Sequence, residues 1–433
     1  MDRASLIGPN ELSIIPKETV SNILGPKGLP RGPYYDTRKH EEGTSLDGIK
    51  EYTVHAVRRR PWARGMNSTA MKYYEGVIKE ETANLIHGLR ERKSKEVDIS
   101  AWMSFFSFDA MGRMSFSYDL RMLKDGRDSH GLSQQIENGL IEAAWISHVQ
   151  WLVPFLKYIP SASKSWEEIK AVGERLVRRR AQDGSIHPDI FYYLMNEDGQ
   201  EITKPVIEVC AIDGMLAIIA GSDTSATTLS HLWYYLLSNS ACFNQLRSEV
   251  DEVFPLGEDP LNDLSKLGTM SYLNACINEV LRLYPPVLAA LQRRVEPDRG
   301  GVMVGDHLIP PETQVSLYAY AIHRDPSHFW PIPDQFWPDR WLSQEEYTLP
   351  SGDRIASVIT DHEVFIPFSA GPMGCVGKNV AMAEMRAVVS TVVQQFDMTV
   401  ANQSNLAKWE EDIREVFVTS RGTLPVVLKP RHS

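Results

Sequence analysis

The sequence predicts a mainly α protein with a small β-sheet region, on three observations. Apolar residues recur at helical spacing through much of the chain, and one stretch, from Pro205 to about Ser238, is apolar nearly all round. That pattern belongs to a helix crossing the centre of a large protein. Short strand-like runs gather in the last third, at Val302-Met303-Val304, Gln314-Val315-Ser316-Leu317 and Leu424-Pro425-Val426-Val427-Leu428. No strand–helix–strand alternation, internal repeat or low-complexity linker breaks the 433 residues, so residues 1–433 are expected to form one domain.

Residues 1–35 are rich in Pro and Gly around pieces such as Leu12-Ser13-Ile14-Ile15, and read as loop and edge strand. From Ser68 to about Lys93, Met71, Val77, Ile78, Leu85, Ile86 and Leu89 fall at helical spacing. Helical patterns continue from Ile99 to about Met114 and around Ala171 to Arg180. Helices are expected from Ala241 to Phe254 and from Tyr272 to Tyr284, the second stopped by Pro285-Pro286. Lys378-Asn379-Val380-Ala381-Met382-Ala383-Glu384-Met385 reads as a further helix.

A hydrophobic content of 43% supplies a packed core and excludes a disordered chain. The net charge of −11 argues against nucleic acid as a partner. Four cysteines, at 210, 242, 276 and 375, form no CxxC pair, which points to a reducing compartment and not to a disulfide framework. The most apolar run, around Ile218-Ile219-Ala220, is broken by Asp213 and Asp223 and is too short to span a bilayer. Basic residues cluster at Arg58-Arg59-Arg60 with Arg64.

Chemistry concentrates in three places. The first is Phe368-Ser369-Ala370-Gly371-Pro372-Met373-Gly374-Cys375-Val376-Gly377, one cysteine framed by glycines before a helix. Glycine lets the backbone approach a flat ligand, and a helix start favours a thiolate. One thiolate is too few ligands for structural zinc or an iron–sulfur cluster, whereas haem iron needs a single proximal ligand. The second is Ala220-Gly221-Ser222-Asp223-Thr224-Ser225 inside the long apolar helix. Glycine there costs roughly 1 kcal/mol against alanine, and Asp and Thr are poor interior residues, so a local opening is expected. Gly221 would leave room for a ligand, Thr224 would bond the carbonyl of Ala220, and Asp223 with Thr224 would form a proton relay. The third is Glu279-Val280-Leu281-Arg282, an acid and a base on one face of an apolar helix, with Arg340 in Phe336-Trp337-Pro338-Asp339-Arg340-Trp341 a further partner.

In this order and spacing the segments resemble the cytochrome P-450 superfamily of haem-thiolate monooxygenases. The likeness covers almost the whole chain. Ile7-Gly8-Pro9-Asn10-Glu11-Leu12 and Gly28-Leu29-Pro30-Arg31-Gly32-Pro33-Tyr34 look like fungal microsomal members. The resemblance implies the P-450 fold and haem b, with Cys375 as the axial thiolate and Gly371 and Gly377 shaping its loop. It implies that Asp223 and Thr224 deliver protons, and that Glu279, Arg282 and Arg340 hold the core beneath the haem. It places His55, Arg59 and Arg293 on the haem propionates, with Arg294 an alternative one register away.

Two departures stand out. Where the family carries Arg or His two residues before the cysteine, this chain has Met373, so haem grip is expected to lean on His55, Arg59 and Arg293. Microsomal relatives begin with a membrane anchor and proline-rich hinge, absent here, so either a truncated or a naturally shortened form is expected.

The function expected is insertion of one oxygen atom from O2 into a lipophilic molecule such as a terpenoid or polyketide, in fungal secondary metabolism. Pocket walls are expected from Gly214 to Ala220, from Val287-Leu288-Ala289-Ala290 and from Glu415-Val416-Phe417-Val418. The partner implied is an NADPH-cytochrome reductase. The basic cluster on the cysteine side is either its docking patch, with Arg59 pointing inward, or a solvated helix face. The implied location is the cytosolic face of the endoplasmic reticulum membrane. A haem-thiolate isomerase or dehydratase that uses no O2, and a non-catalytic remnant, are the alternatives.

Overall fold

The structure is a computed structural model and describes residues 4–40, 43–129, 131–149, 152, 155, 164–255, 257–288 and 291–431. Nine helices organise what concerns the site: α1 (Tyr52–Gly65), α2 (Ser68–Glu91), α3 (Ile99–Phe116), α4 (Leu132–His148), α5 (Lys164–Asp183), α6 (Ile207–Ser238), α7 (Ser240–Val253), α8 (Ser271–Leu283) and α9 (Lys378–Gln395). Helix starts are set by side chains that accept from the first free N–H groups. Asn67 caps α2 through Thr69 and Ala70, and Asp98 caps α3 through Ser100. The α4 helix had no counterpart in the sequence expectations.

Helix α6 runs 32 residues without interruption, so the expected opening at Gly221 is not a break. It lies along α3, and glycines set the approach. A Cβ on Gly214 would stand 2.7 Å from the Phe116 ring, and one on Gly221 would stand 2.5 Å from Met111 Sδ. Gly221 therefore makes room for the neighbouring helix and not for a ligand, which corrects the sequence expectation. The pair is tied further by Trp233 Nε1, which donates to Met103 Sδ at 3.2 Å.

Two sheets matter. In the first, β1 (Ala4–Gly8), β2 (Glu11–Ile14), β4 (Arg293–Arg294) and β5 (Gln314–Ser316) lie in the order β1-β2-β5-β4. Val315 is the pivot, parallel to Leu12 on one side and antiparallel to Arg293 on the other. In the second, β7 (Pro425–Pro430) lies between β6 (Phe396–Val400) and β3 (Glu96–Asp98). That sheet brings the segment before β7 against the start of α3. The main core is built from α2, α3, α6, α8 and α9, and a smaller one underlies the first sheet.

Candidate active site

Cys375 sits in a tight loop that ends at α9. Its N–H donates to the carbonyl of Phe368 at 2.8 Å, and Gly374 N–H donates to Gly371 carbonyl at 3.0 Å. Gly371 has φ +68°, and a Cβ there would lie 1.9 Å from the carbonyl oxygen of Leu24. Glycine is required so that the loop can seat on the turn at Val20–Leu24. Gly377 caps α9, and a Cβ there would only touch Cys375 Sγ at 3.9 Å. The Cys375 side chain is exposed. Surrounding protein pushes its thiol up, while the N–H groups of Gly377 and Lys378 and the charge of Arg59 pull the other way.

Beside the loop stands a concentration of positive charge. His55, Arg59 and Arg60 of α1 line one wall of a groove closed by Pro372. His55 is buried, and its pKa is pushed down to about 3 by burial first and then by Arg31, Arg59 and Arg293. Arg293 is buried too, and its Nη1 donates to Leu29 carbonyl at 3.2 Å and to Met373 Sδ at 2.9 Å. Arg294 turns outward to Glu312 at 2.8 Å, so Arg293 is the inward residue of the two. Arg31 belongs to this cluster and was not singled out from sequence. Its Nη1 bonds the carbonyls of Leu46 at 3.1 Å and Ile49 at 2.8 Å.

On α6, Thr224 Oγ1 donates to the Ala220 carbonyl at 2.6 Å, the bond expected from sequence. Ala220 is exposed although the helix around it is mostly core. Asp223 does not stand with Thr224 alone. Arg421 Nη1 holds its carboxylate at 2.7 Å and reaches Thr227 Oγ1 at 2.9 Å, while Nη2 contacts Ser104 Oγ. The next residue, Ser225, donates to the buried Glu384 of α9 at 3.0 Å. Burial pushes the Glu384 carboxyl up to about 8 despite that bond.

Beneath, Glu279, Arg282 and Arg340 meet at 0% side-chain exposure. Glu279 Oε1 accepts from Arg282 Nη2 at 2.8 Å, Arg340 Nε at 3.1 Å and Trp337 N at 3.0 Å. Its Oε2 accepts from Arg282 Nε at 2.9 Å and Trp341 Nε1 at 2.9 Å. Burial favours the neutral acid, but the two guanidiniums outweigh it and hold the pKa below the usual range. The arginines spread onto main chain, Arg282 to His323 carbonyl at 2.8 Å and Arg340 to Pro331 and Ile332 carbonyls at 3.0 Å each.

The basic cluster of α1 is largely committed elsewhere. Arg58 pairs with buried Asp213 at 2.7 Å, and Arg64 pairs with Asp198 at 2.6 Å and Glu201 at 2.5 Å. Two of the four arginines are thus paired with acids, one from α6 and two from the segment before it. Of the expected pocket walls, Gly214 faces Phe116, and Ala289 and Ala290 lie outside the described residues. Val287 packs with Tyr34, Tyr35 and Phe417.

The family model described as Cytochrome P450 matches residues 24–424. The chain belongs to the cytochrome P450 family. It is 30% identical over 430 residues to the cytochrome P450 monooxygenase FCK2 of Fusarium pseudograminearum, covering 98% of this chain and 74% of that protein. It is 33% identical over 405 residues to cytochrome P450 67 of Uromyces fabae, covering 91% and 73%. It is 30% identical over 432 residues to the tryprostatin B 6-hydroxylase of Aspergillus fumigatus, covering 98% and 74%. In fold it is similar to the cytochrome P450DA heme domain, with TM-score 0.79 at 17% identity, over 99% of this chain and 88% of that one.

P450 membership makes the chain an oxygen-incorporating oxidoreductase with a haem iron cofactor. The residues present fit that group. An exposed thiol at a helix start supplies the one protein ligand, and buried guanidinium nitrogens of Arg31 and Arg293 lack partners among the described residues, as a carboxylate-bearing cofactor demands. Among the described residues no helix is long and apolar enough to cross a membrane.

Proposed function

We propose that this P450 inserts one oxygen atom from O2 into a lipophilic fungal secondary metabolite, the whole chain acting as one catalytic unit. The observation that carries the reading is Cys375, an exposed thiol at the start of α9 facing a cluster of cations. Bound there, haem supplies the activation of O2 that no amino-acid side chain provides.

The chain's own residues divide the rest of the work. Cys375 would hold the haem iron, with Gly371 and Gly377 shaping its loop and Arg59, Arg293 and His55 placed to hold the carboxylates. Thr224 and Asp223 move protons, and Arg421 fixes the Asp223 carboxylate at 2.7 Å. Glu279, Arg282 and Arg340 hold the fold below the thiolate.

The lipophilic substrate class rests on the aromatic wall above. Tyr34 stacks on Phe417 at 6.4 Å, and the Arg38 guanidinium lies 4.1 Å over the Phe417 ring. Two relatives named tryprostatin B 6-hydroxylases support a secondary-metabolite pathway. Electrons come from an NADPH-cytochrome reductase, and the site of action is the cytosolic face of the endoplasmic reticulum. Leu6 and Ile7, 70% and 45% exposed on β1, suit a membrane surface.

The test is the reduced carbon monoxide difference spectrum of the purified protein. A strongly red-shifted Soret band that Cys375→Ser abolishes is the expected result. A band at shorter wavelength in the unaltered chain, or none, overturns the haem-thiolate reading.

A further inference from the structure

Glu415 and Thr419 are paired across a short antiparallel hairpin that turns at Phe417, where φ is +77°. Directly paired residues lie on one face of a hairpin. Thr419 turns that face onto Pro286, donating from Oγ1 to its carbonyl at 3.0 Å. Thr227 Oγ1 of α6 donates to the Thr419 carbonyl at 3.2 Å, and the chain runs on into Arg421, which holds Asp223 at 2.7 Å. The hairpin is therefore fastened to α6 within one turn of Thr224, beside the Asp223–Thr224 relay.

What surrounds Glu415 is mostly aromatic. Phe417 packs with Tyr34, Tyr35 and Val287, and the Tyr34 ring lies 5.8 Å from that of His148 at the end of α4. Glu415 is exposed, yet the surrounding protein raises its carboxyl pKa, with His148 and the Phe417 N–H pulling the other way. Open to solvent but walled by protein is the combination that Cys375 also shows, and it marks a side chain lining a recess.

The nearby charges leave Glu415 without a fixed counter-ion. Arg38 pairs with Asp47 at 2.9 Å and is covered by the rings of Tyr34, Tyr35 and Phe417. Among the described residues Glu415 forms no ion pair, and protonated His148 is the cation whose charge it feels. A carboxylate set on an aromatic wall and open to a ligand suits a cation, because the ring faces attract the same charge.

We propose that Glu415 sets the substrate class of this P450, holding a positively charged nitrogen of the lipophilic substrate against the aromatic wall of Tyr34 and Phe417. The inference rests on the monooxygenase reading above and narrows it, from lipophilic molecules in general to lipophilic amines and ammonium ions. An anionic substrate would meet Glu415 as a like charge, since Arg38 is already matched by Asp47.

The experiment is equilibrium dialysis of the haem-loaded enzyme with two probes of one shape, benzyltrimethylammonium and neopentylbenzene. They differ only in a charged nitrogen against a neutral carbon, and neither can coordinate iron. The unaltered enzyme is expected to bind the cation about tenfold more tightly, the size of one partly desolvated cation contact. Glu415→Gln is expected to remove that preference and to leave neopentylbenzene binding within about twofold, whereas a merely structural role would weaken both probes alike. Equal binding, tighter binding of the neutral probe, no binding of either, or a preference that survives in Glu415→Gln overturns the proposal.

His148→Lys leaves Glu415 in place and sets a permanent charge beside it, so it gives an answer even where Glu415→Gln does not fold. It is expected to cut the preference for the cation by about threefold or more, and an unchanged preference overturns the proposal. An unaltered chain that takes up no haem overturns the haem-enzyme reading itself, and with it this inference, whereas the other adverse results leave that reading standing.

Discussion

Arg421 and Asp223 form a 2.7 Å ion pair across a sequence separation of 198 residues, with the side chains 13% and 15% exposed. The pair joins the loop before β7 to the middle of α6, and Thr227 and Ser104 complete the arginine's contacts. A carboxylate held in this way has a fixed direction, which a proton relay needs and a free side chain lacks. Asp223→Asn is expected to cut product formation about 100-fold with any substrate that is turned over. Arg421→Met should lower unfolding free energy by about 1–3 kcal/mol in denaturant titration. In denaturant titration the losses of Asp223→Asn and Arg421→Met should not add, because both remove one shared interaction, and full additivity of the double variant contradicts the coupling.

Glu384 predicts a pH dependence of stability. Its pKa lies near 4.5 in the unfolded chain and about 8 in the fold, so the native state keeps a proton that the unfolded chain has released. Between those values the unfolded chain binds fewer protons, and stability falls as pH rises through the window. Glu384→Gln keeps the neutral shape and the acceptor for Ser225. Melting temperatures from about pH 5 to about pH 8 should decline less in the variant than in the unaltered chain. Parallel declines exclude Glu384 as the source.

Glu279 balances two arginines at 0% exposure, so its removal leaves two buried charges unmatched. Glu279→Gln is expected to cost about 3–5 kcal/mol and to appear as lost soluble yield or a much lower denaturation midpoint. Near-normal stability would show that the carbonyls around Arg282 and Arg340 suffice alone.

Gly221→Ala tests helix packing against ligand access. The added methyl meets Met111 at contact distances of 2.5–2.9 Å, which should cost about 1–3 kcal/mol by overpacking. Met111→Ala should relieve that clash, so the double variant should lose less than the sum of the single losses. A destabilisation that Met111→Ala leaves untouched argues for another cause.

What could be read from sequence was local. The Cys375 loop announces itself through glycines within a few residues, and Glu279 and Arg282 share a helix face by spacing alone. Arg293 and Arg294 differ by one register step on a strand, which sends their side chains to opposite faces, so pairing with Val315 decided between them. Arg31 and Arg421 gave no local signal, because each lies in an irregular segment and gains its meaning from partners far along the chain. Gly221 was misread for the same reason: the occupant of its missing side chain is on α3. Helix α4 carries Leu132, Ile136 and Leu140 at helical spacing, a local signal that the sequence reading passed over.

The placement of Arg421 also orders events in time. Residue 421 leaves the ribosome 198 residues after Asp223. At the usual pace of synthesis that interval is about 10–40 s. Through it the long central helix carries an acid without its counter-charge, and the loop that will supply it does not yet exist. The polar step in the middle of α6 is therefore among the last parts of the molecule to be finished, well after the helices around it have been made.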